Sequence, residues 1–298
     1  MSLPALFFAA ALLLPKADSL VVSTGWLAAH RTDRDLVVLH IAMDRAEYDR
    51  GHIPGARWVN PHEFFLSGAP GVELPPVERL DSVLEALGIR EQSRIVFYGD
   101  TWMSPRVFLA LDYLGLGDQA SLLDGGFPAW REEQRPISTE TPVWSPGRLA
   151  VRAHPEILAD AVWIRAHLDN PSLLLIDGRS PGEYAGSDHS EQLPRFGHIP
   201  GGVNLPWEQT FTNGAAALDG TPSRLQPADV LRRQLAAAGL TDGKDLVTYC
   251  TVGLRASHLY FIARYLGWHP RIYDGSMSEW SRQPELPMAT GTTPRPTP

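Results

Sequence analysis

The sequence predicts an α/β protein of two tandem domains, each a mainly parallel sheet flanked by helices. Three observations lead there. The chain has 298 residues, and ~150 residues per domain is the usual allotment. Short apolar runs alternate with helical patterns along its length. A set of local motifs occurs twice in the same order.

The repeat is the strongest of the three. Gly51-His52-Ile53-Pro54-Gly55-Ala56 returns as Gly197-His198-Ile199-Pro200-Gly201-Gly202. Asp124-Gly125-Gly126-Phe127-Pro128-Ala129-Trp130 returns as Asp274-Gly275-Ser276-Met277-Ser278-Glu279-Trp280. Just before the first, Glu47-Tyr48 matches Glu183-Tyr184, and between the two Leu111-Asp112-Tyr113-Leu114-Gly115 matches Ala263-Arg264-Tyr265-Leu266-Gly267. Four signals at nearly one spacing are a duplication. The period is too long for a solenoid unit and implies two similar domains.

In each copy the apolar runs read as buried parallel strands. They are 36–39 and 94–98 in the first copy, and 173–176 and 245–249 in the second. Ser257 to Leu266 reads as a helix stopped by Gly267 and Pro270. Prolines 142, 146 and 155, with Ser145 and Gly147, mark an extended linker. The expected divisions are 20–138 for the first domain, 139–155 for the linker and 156–287 for the second domain. The Pro/Thr-rich stretch 288–298 is expected to be a loose tail.

Residues 1–19 stand apart. Leu3 to Leu14 is an apolar run followed by Pro15-Lys16. It is too short to span a membrane. It has the length of a secretory h-region, but no Lys or Arg precedes it and its cleavage site is poor. If it is a signal peptide the protein is periplasmic; otherwise it is cytoplasmic. No other stretch approaches a membrane span.

Composition narrows the chemistry. The net charge is −8, the only lysines are Lys16 and Lys244, and basic residues form no run. Nucleic acid is therefore not an expected ligand, because phosphate binding needs a clustered positive face. A small anion could still bind at a local positive site. The single cysteine excludes an intrachain disulfide. No Cys-x-x-Cys or His-Glu-x-x-His occurs, so no metal site is expected, and no phosphate loop or nucleophile elbow occurs. No organic cofactor is implied.

Cys250 is either a small buried hydrophobe or a nucleophile. It ends a predicted parallel strand, where open α/β sheets place their ligands. It opens the loop Cys250-Thr251-Val252-Gly253-Leu254-Arg255, with a helix expected from Ala256 or Ser257. A thiol before a helix N-terminus meets the positive end of the dipole and converging N–H groups, which favour thiolate. Gly253 lets the loop curl into an anion nest, and Arg255 adds a fixed charge. The first copy has Gly99 after the matching Tyr98. A thiol absent from one copy is not demanded by packing.

Together these motifs resemble the tandem rhodanese family. The resemblance runs from about Leu20 to Pro287 and rests on the paired Glu-Tyr and Gly-His-Ile-Pro-Gly segments. In the second copy it adds Cys-x-x-Gly-x-Arg and Asp-Gly-Ser-x-x-Glu-Trp. It implies a catalytic second domain and an inactive first domain, which has Ile41-Ala42-Met43 where the second has Asp177-Gly178-Arg179. It implies sulfur transfer through a persulfide on Cys250, with the loop N–H groups stabilising its charge. Arg179 and Arg255 would bind the anionic donor, together with the loop residues Thr251, Val252, Gly253 and Leu254. Asp177 and Glu183 would hold the arginines, and Ser276 would neighbour the loop. His52, His198, Trp130 and Trp280 recur in both copies and read as structural.

Family members specific for thiosulfate usually carry basic residues at the second and third loop positions; those specific for 3-mercaptopyruvate carry Gly and Ser. Here Thr251 and Val252 match neither. Thiosulfate is the expected donor, with 3-mercaptopyruvate second. The acceptor must be an external thiol or cyanide, because no second cysteine exists. A persulfide carrier serving a protein partner is the non-enzymatic alternative. The fold is shared with dual-specificity phosphatases, but those need Cys-x5-Arg, and here only four residues separate Cys250 from Arg255. Two fused copies make a monomer the expected state.

Overall fold

The computed structural model describes residues 19–68, 72–214 and 223–294. The possible signal segment therefore lies outside the described residues, but for Ser19. The first half contains β1 (Val21–Val22), α1 (Thr24–His30), β2 (Leu36–Ile41), α2 (Arg45–Arg50) and β3 (Arg57–Val59). A small antiparallel hairpin of β4 (Leu66–Ser67) and β5 (Val72–Glu73) follows. Then come α3 (Val77–Ala86), β6 (Arg94–Gly99), α4 (Ser104–Tyr113), β7 (Ala120–Leu123) and α5 (Gly126–Glu132). The second half runs β8 (Leu158–Ala159), α6 (Ala161–His167), β9 (Leu173–Asp177), α7 (Pro181–Ala185), β10 (Val203–Asn204), α8 (Ala228–Ala237), β11 (Asp245–Tyr249), α9 (Leu254–Tyr265), β12 (Arg271–Tyr273) and α10 (Ser276–Trp280).

The five main strands of each half form one parallel sheet. The orders are β1-β7-β6-β2-β3 and β8-β12-β11-β9-β10. Matched strands occupy matched places, so the duplication read in the sequence is also a duplication of topology. The central strands are covered on both faces, which is why Val37 to Leu39 and Leu174 to Ile176 read as continuous apolar runs rather than alternating ones.

The halves meet through α4 and α9. Every residue of α4 from Ser104 to Asp112 is buried, and so is α9 from Ala256 to Ala263. A helix apolar on nearly all sides belongs between layers. Phe261 stands edge-on to Phe108 at 4.8 Å and to Phe97 at 6.1 Å. At the far end of the pair Arg264 Nε donates to Asp112 at 2.7 Å, and Tyr260 Oη donates to the same carboxylate at 2.6 Å. Asp112 and Arg264 hold matched positions in the two copies, so the ion pair spans the pseudo-twofold axis. The same symmetry governs the loops: the Leu74 N–H donates to Asp274 and the Leu225 N–H to Asp124.

The paired Gly-His-Ile-Pro-Gly segments are struts. His52 and His198 are buried and stack on Tyr48 and Tyr184 at 3.7 and 3.8 Å. Their neighbours Tyr48 and Tyr184 donate to the carbonyls of Ala56 and Gly202. Trp130 and Trp280 are fully buried, with Nε1 donating to the carbonyls of Pro136 and Pro287.

Two expectations need correction. The stretch after Pro287 is docked, not loose, through Gly291. His198 and Ala289 exchange both backbone hydrogen bonds, at 2.8 and 2.9 Å, and Ala289 is buried. Gly291 donates to the Ala185 carbonyl. Helix α9 also begins earlier than expected, at Leu254, because left-handed Gly253 (φ 96°) supplies the turn that starts it. Leu254 and Arg255 are thus first-turn helical residues. The segment expected as a linker packs on α3 and its end: Trp144 donates to the Ala86 carbonyl, and the Gly147 N–H to the Glu85 carbonyl.

Candidate active site

Cys250 leaves the end of β11 at the centre of its sheet and is 1% exposed. Its surroundings are built by two loops. The backbone curls through Thr251 and Val252 to Gly253, whose N–H donates to Cys250 Sγ at 3.1 Å. Helix α9 starts immediately behind, so its N-terminal dipole faces the sulfur. A side chain at Gly253 would not fit: its Cβ would lie 2.7 Å from Asp274 Oδ1.

The loop after β12 supports this curl from below. Ser276 Oγ accepts the Cys250 N–H at 3.1 Å and donates to the Tyr273 carbonyl at 2.8 Å. The N–H groups of Met277 and Ser278 donate to the carbonyls of Cys250 and Thr251. Ser276 adopts φ 49°, a left-handed value that costs a side chain ~1 kcal/mol or more. Its counterpart is Gly126, at φ 53°. Where the first copy has glycine, the second keeps a strained serine whose hydroxyl holds the Cys250 backbone.

Glu183 fixes the outer side. Its Oε1 accepts from Arg255 Nη2 at 2.8 Å and Thr251 Oγ1 at 3.1 Å. Its Oε2 accepts from Arg255 Nη1 at 2.7 Å and from the Ser180 N–H at 3.0 Å, closing a capping box on α7. Burial works against the charged carboxylate, but the bonds to Arg255 and Ser180 win and hold Glu183 at about 2. Arg255 Nη2 also donates to Thr251 Oγ1 at 2.6 Å. Its burial opposes its charge, but the bonds to Glu183 and then the neighbouring Cys250 raise its pKa above the usual arginine value. Arg255 therefore lies within electrostatic reach of the sulfur while its guanidinium is clamped by Glu183.

Arg179 is placed differently from the anion-binding role expected of it. It is 1% exposed, and Nε and Nη2 bond to both carboxylate oxygens of Asp177, at 2.6–3.1 Å. Nη2 also donates to the Gly197 carbonyl at 2.7 Å. At 1% exposure it offers a donor anion almost no surface. Its geometry is that of a tie between β9 and the Gly197-His198 strut. Thr251, Val252, Gly253 and Leu254 follow Cys250 as one continuous curl into α9, with the Gly253 N–H on the sulfur, and Asp177 and Glu183 each pair with one arginine.

The sequence did not reveal the contribution of the first domain. Arg106, fully buried in α4, forms a two-pronged ion pair with Asp274, one bond being Nη2 to Oδ2 at 2.9 Å. That carboxylate borders Gly253, so a residue of the first domain braces the loop that carries the sulfur. The available signal was an arginine set against the apolar run Val107 to Leu111. Among the described residues no group of side chains could hold a metal ion, and no helix is long and apolar enough to cross a membrane.

The chain is similar to known proteins. The rhodanese-like domain model matches twice, at residues 23–133 and 160–283. The sulfur carrier protein TtuD of Thermus thermophilus is 35% identical over 292 residues, covering 91% of this chain and 96% of its own. A thiosulfate sulfurtransferase of Azotobacter vinelandii is 35% identical over 277 residues, covering 90% and 96%. The crystal structure of YnjE superposes with a TM-score of 0.78 at 27% identity, covering 91% of this chain and 68% of that one. With two matched domains, two matched sheets and a cysteine loop in the second, the chain belongs to the rhodanese family.

Proposed function

We propose that the protein moves sulfane sulfur from thiosulfate to cyanide or an external thiol through a persulfide on Cys250. Membership of the rhodanese family makes it a sulfurtransferase. Which residues act, and on what, is the content of the proposal.

The observation that carries it is the Gly253 N–H aimed at Cys250 Sγ from the start of α9. A fixed donor at a helix N-terminus stabilises negative charge on sulfur with no reorganisation during reaction. The Cys250 thiolate attacks the outer sulfur of thiosulfate. The S–S bond of the donor breaks, and sulfite leaves with its electron pair. Cys250 then carries a persulfide anion whose outer sulfur lies ~2 Å beyond Sγ, within the same curl of N–H groups. Cyanide or a thiolate attacks that outer sulfur, and the cysteine thiolate is restored. Arg255 contributes long-range positive charge rather than a vacant anion clamp, because Glu183 occupies it. Arg179 supports the site from beneath.

A second reading, a persulfide carrier that delivers to a protein partner, is favoured by the similarity to the carrier TtuD. Intact-mass measurement tests both. After incubation with thiosulfate the chain should gain one sulfur atom, and cyanide should remove it. Cys250→Ser should gain none, and sulfur transfer should fall to background, on the order of 10³-fold or more. Absence of the adduct with thiosulfate and its appearance with 3-mercaptopyruvate would reassign the donor. An adduct that cyanide fails to discharge, but a protein thiol removes, would favour the carrier.

A further inference from the structure

The first domain contains a cavity of ≈ 1030 Å³ at the carboxyl ends of β2, β6 and β7, the place matched to the catalytic site. Aromatic rings of Tyr98, Trp102 and Phe127 line it, Phe211 and His258 of the second half help close it, and the carboxylates of Glu47, Asp100, Asp124 and Glu132 outnumber the guanidiniums of Arg50 and Arg131 around it. His40 lines it too, 1% exposed, stacked on Tyr98 at 4.6 Å, with neither ring nitrogen hydrogen-bonded. The Ser104 hydroxyl, 3% exposed, also lines the cavity and also has no partner.

Comparison with the second domain shows what has been removed. Glu47 is the counterpart of Glu183, whose carboxylate is filled by Arg255. The loop Gly99 to Ser104 contains no arginine, so Glu47 stands at the cavity without the guanidinium that its counterpart holds. His40 Nε2 lies 4.0 Å from Glu47 Oε1, and burial keeps that imidazole neutral, at about 4. Burial and then the charge of Asp100 raise the Glu47 pKa, against a smaller opposing effect of Arg50. Asp100 also disposes of the loop donors: its Oδ1 accepts the N–H groups of Trp102 and Met103, at 2.8 and 2.9 Å. An anion would find the nest already occupied by a carboxylate.

We propose that this cavity binds a small guanidinium or amidinium compound, its cationic head on Glu47 in the place of the missing arginine and its body against the aromatic wall. A planar cation suits a carboxylate by paired hydrogen bonds and suits aromatic faces by cation–π attraction. His40 and Ser104 supply polar partners within the cavity.

Benzamidine is the probe, titrated into the full-length protein by calorimetry, with neutral benzamide and anionic benzoate in parallel. Saturable binding of benzamidine is expected, with benzamide and benzoate at least about tenfold weaker, since the charged pair supplies the discrimination. Glu47→Gln, a half-exposed position, should weaken benzamidine about tenfold or more and leave thermal unfolding and persulfide formation at Cys250 unchanged. Alkylation of Cys250 should leave benzamidine binding intact. Absence of saturable binding, equal binding of benzoate, indifference to Glu47→Gln, or loss of binding on alkylation would each overturn the proposal. Sulfur transfer is read separately, so neither result depends on the other.

Discussion

Strands β6 and β11 end at matched points in matched sheets, yet the loops they release do opposite things with the same backbone donors. After β11 the loop N–H of Gly253 meets the sulfur of Cys250. After β6 the N–H groups of Trp102 and Met103 meet the carboxylate of Asp100. One nest faces a sulfur; the other is filled by a carboxylate of its own chain. The starting residues differ as sharply. Gly99 has φ 129°, and a Cβ there would lie 1.9 Å from the Ile41 carbonyl oxygen. The first copy has therefore not merely lost a thiol; it has closed the space for one. A duplicated fold keeps its sheet order because the core demands it, while the loops at the strand ends are free to diverge.

The largest effect is expected where the two domains join. Arg106→Met removes the buried cation opposite Asp274 and leaves a carboxylate unpaired beside Gly253. Breaking a buried pair in this way costs about 3–5 kcal/mol. Chemical denaturation should show that loss, and the rate of persulfide formation should fall with it. Arg106→Met together with Asp274→Asn should recover part of the stability. If the single variant forms persulfide at the native rate, the first domain does not brace the loop. Next in size is the attempt to convert one copy into the other. Gly99→Cys in a Cys250→Ser background should gain no cyanide-labile sulfur and should lose about 1–3 kcal/mol through overpacking. A cyanide-labile adduct on the introduced thiol would mean that the first loop relaxes far more easily than its geometry allows.

A smaller effect is expected at Glu183. Its folded pKa is about 2, below the ordinary 4.5. A depressed carboxylate stabilises the fold fully above its unfolded value. That contribution fades as pH falls from about 4.5 through about 2. The native loop should therefore lose stability across that window, and Glu183→Gln should flatten this part of the stability–pH curve. At neutral pH the same variant frees Arg255 and Thr251 and should slow persulfide formation about 10–100-fold. An unaltered pH profile would show that Glu183 is not the acid-sensitive clamp.

These contrasts explain which features were legible in the sequence. The duplication, the central strands and the Cys250 loop are local patterns: apolar runs, a glycine at a fixed offset, repeated tripeptides. Gly253 marked the curl, but the starting residue of α9 depended on its φ, which spacing does not encode. Arg179 shows a second limit. An arginine two residues after Asp177 is compatible with facing either a ligand or that aspartate, and burial decides between them. The docking of Ala289 on His198 and the pairing of Arg106 with Asp274 join segments far apart in the chain, and neither leaves a periodic trace.

Ser276 offers the smallest and most discriminating comparison, because the first copy has already made the substitution. Its φ of 49° is close to that of Gly126, 53°, although the residues before them differ, Gly275 at φ −62° and Gly125 at φ 76°. Ser276→Gly thus relieves ~1 kcal/mol of left-handed strain while leaving the buried Cys250 N–H without its acceptor, at a cost of ~1–3 kcal/mol. Ser276→Ala loses the acceptor and keeps the strain, so it should be the less stable of the two by ~1 kcal/mol. Both should slow persulfide formation by a similar factor, about fivefold, because both release the Cys250 backbone. Equal stability for the two variants would remove the strain from this account. Native rates in both would show that the hydroxyl holds the fold of the loop rather than the position of the sulfur.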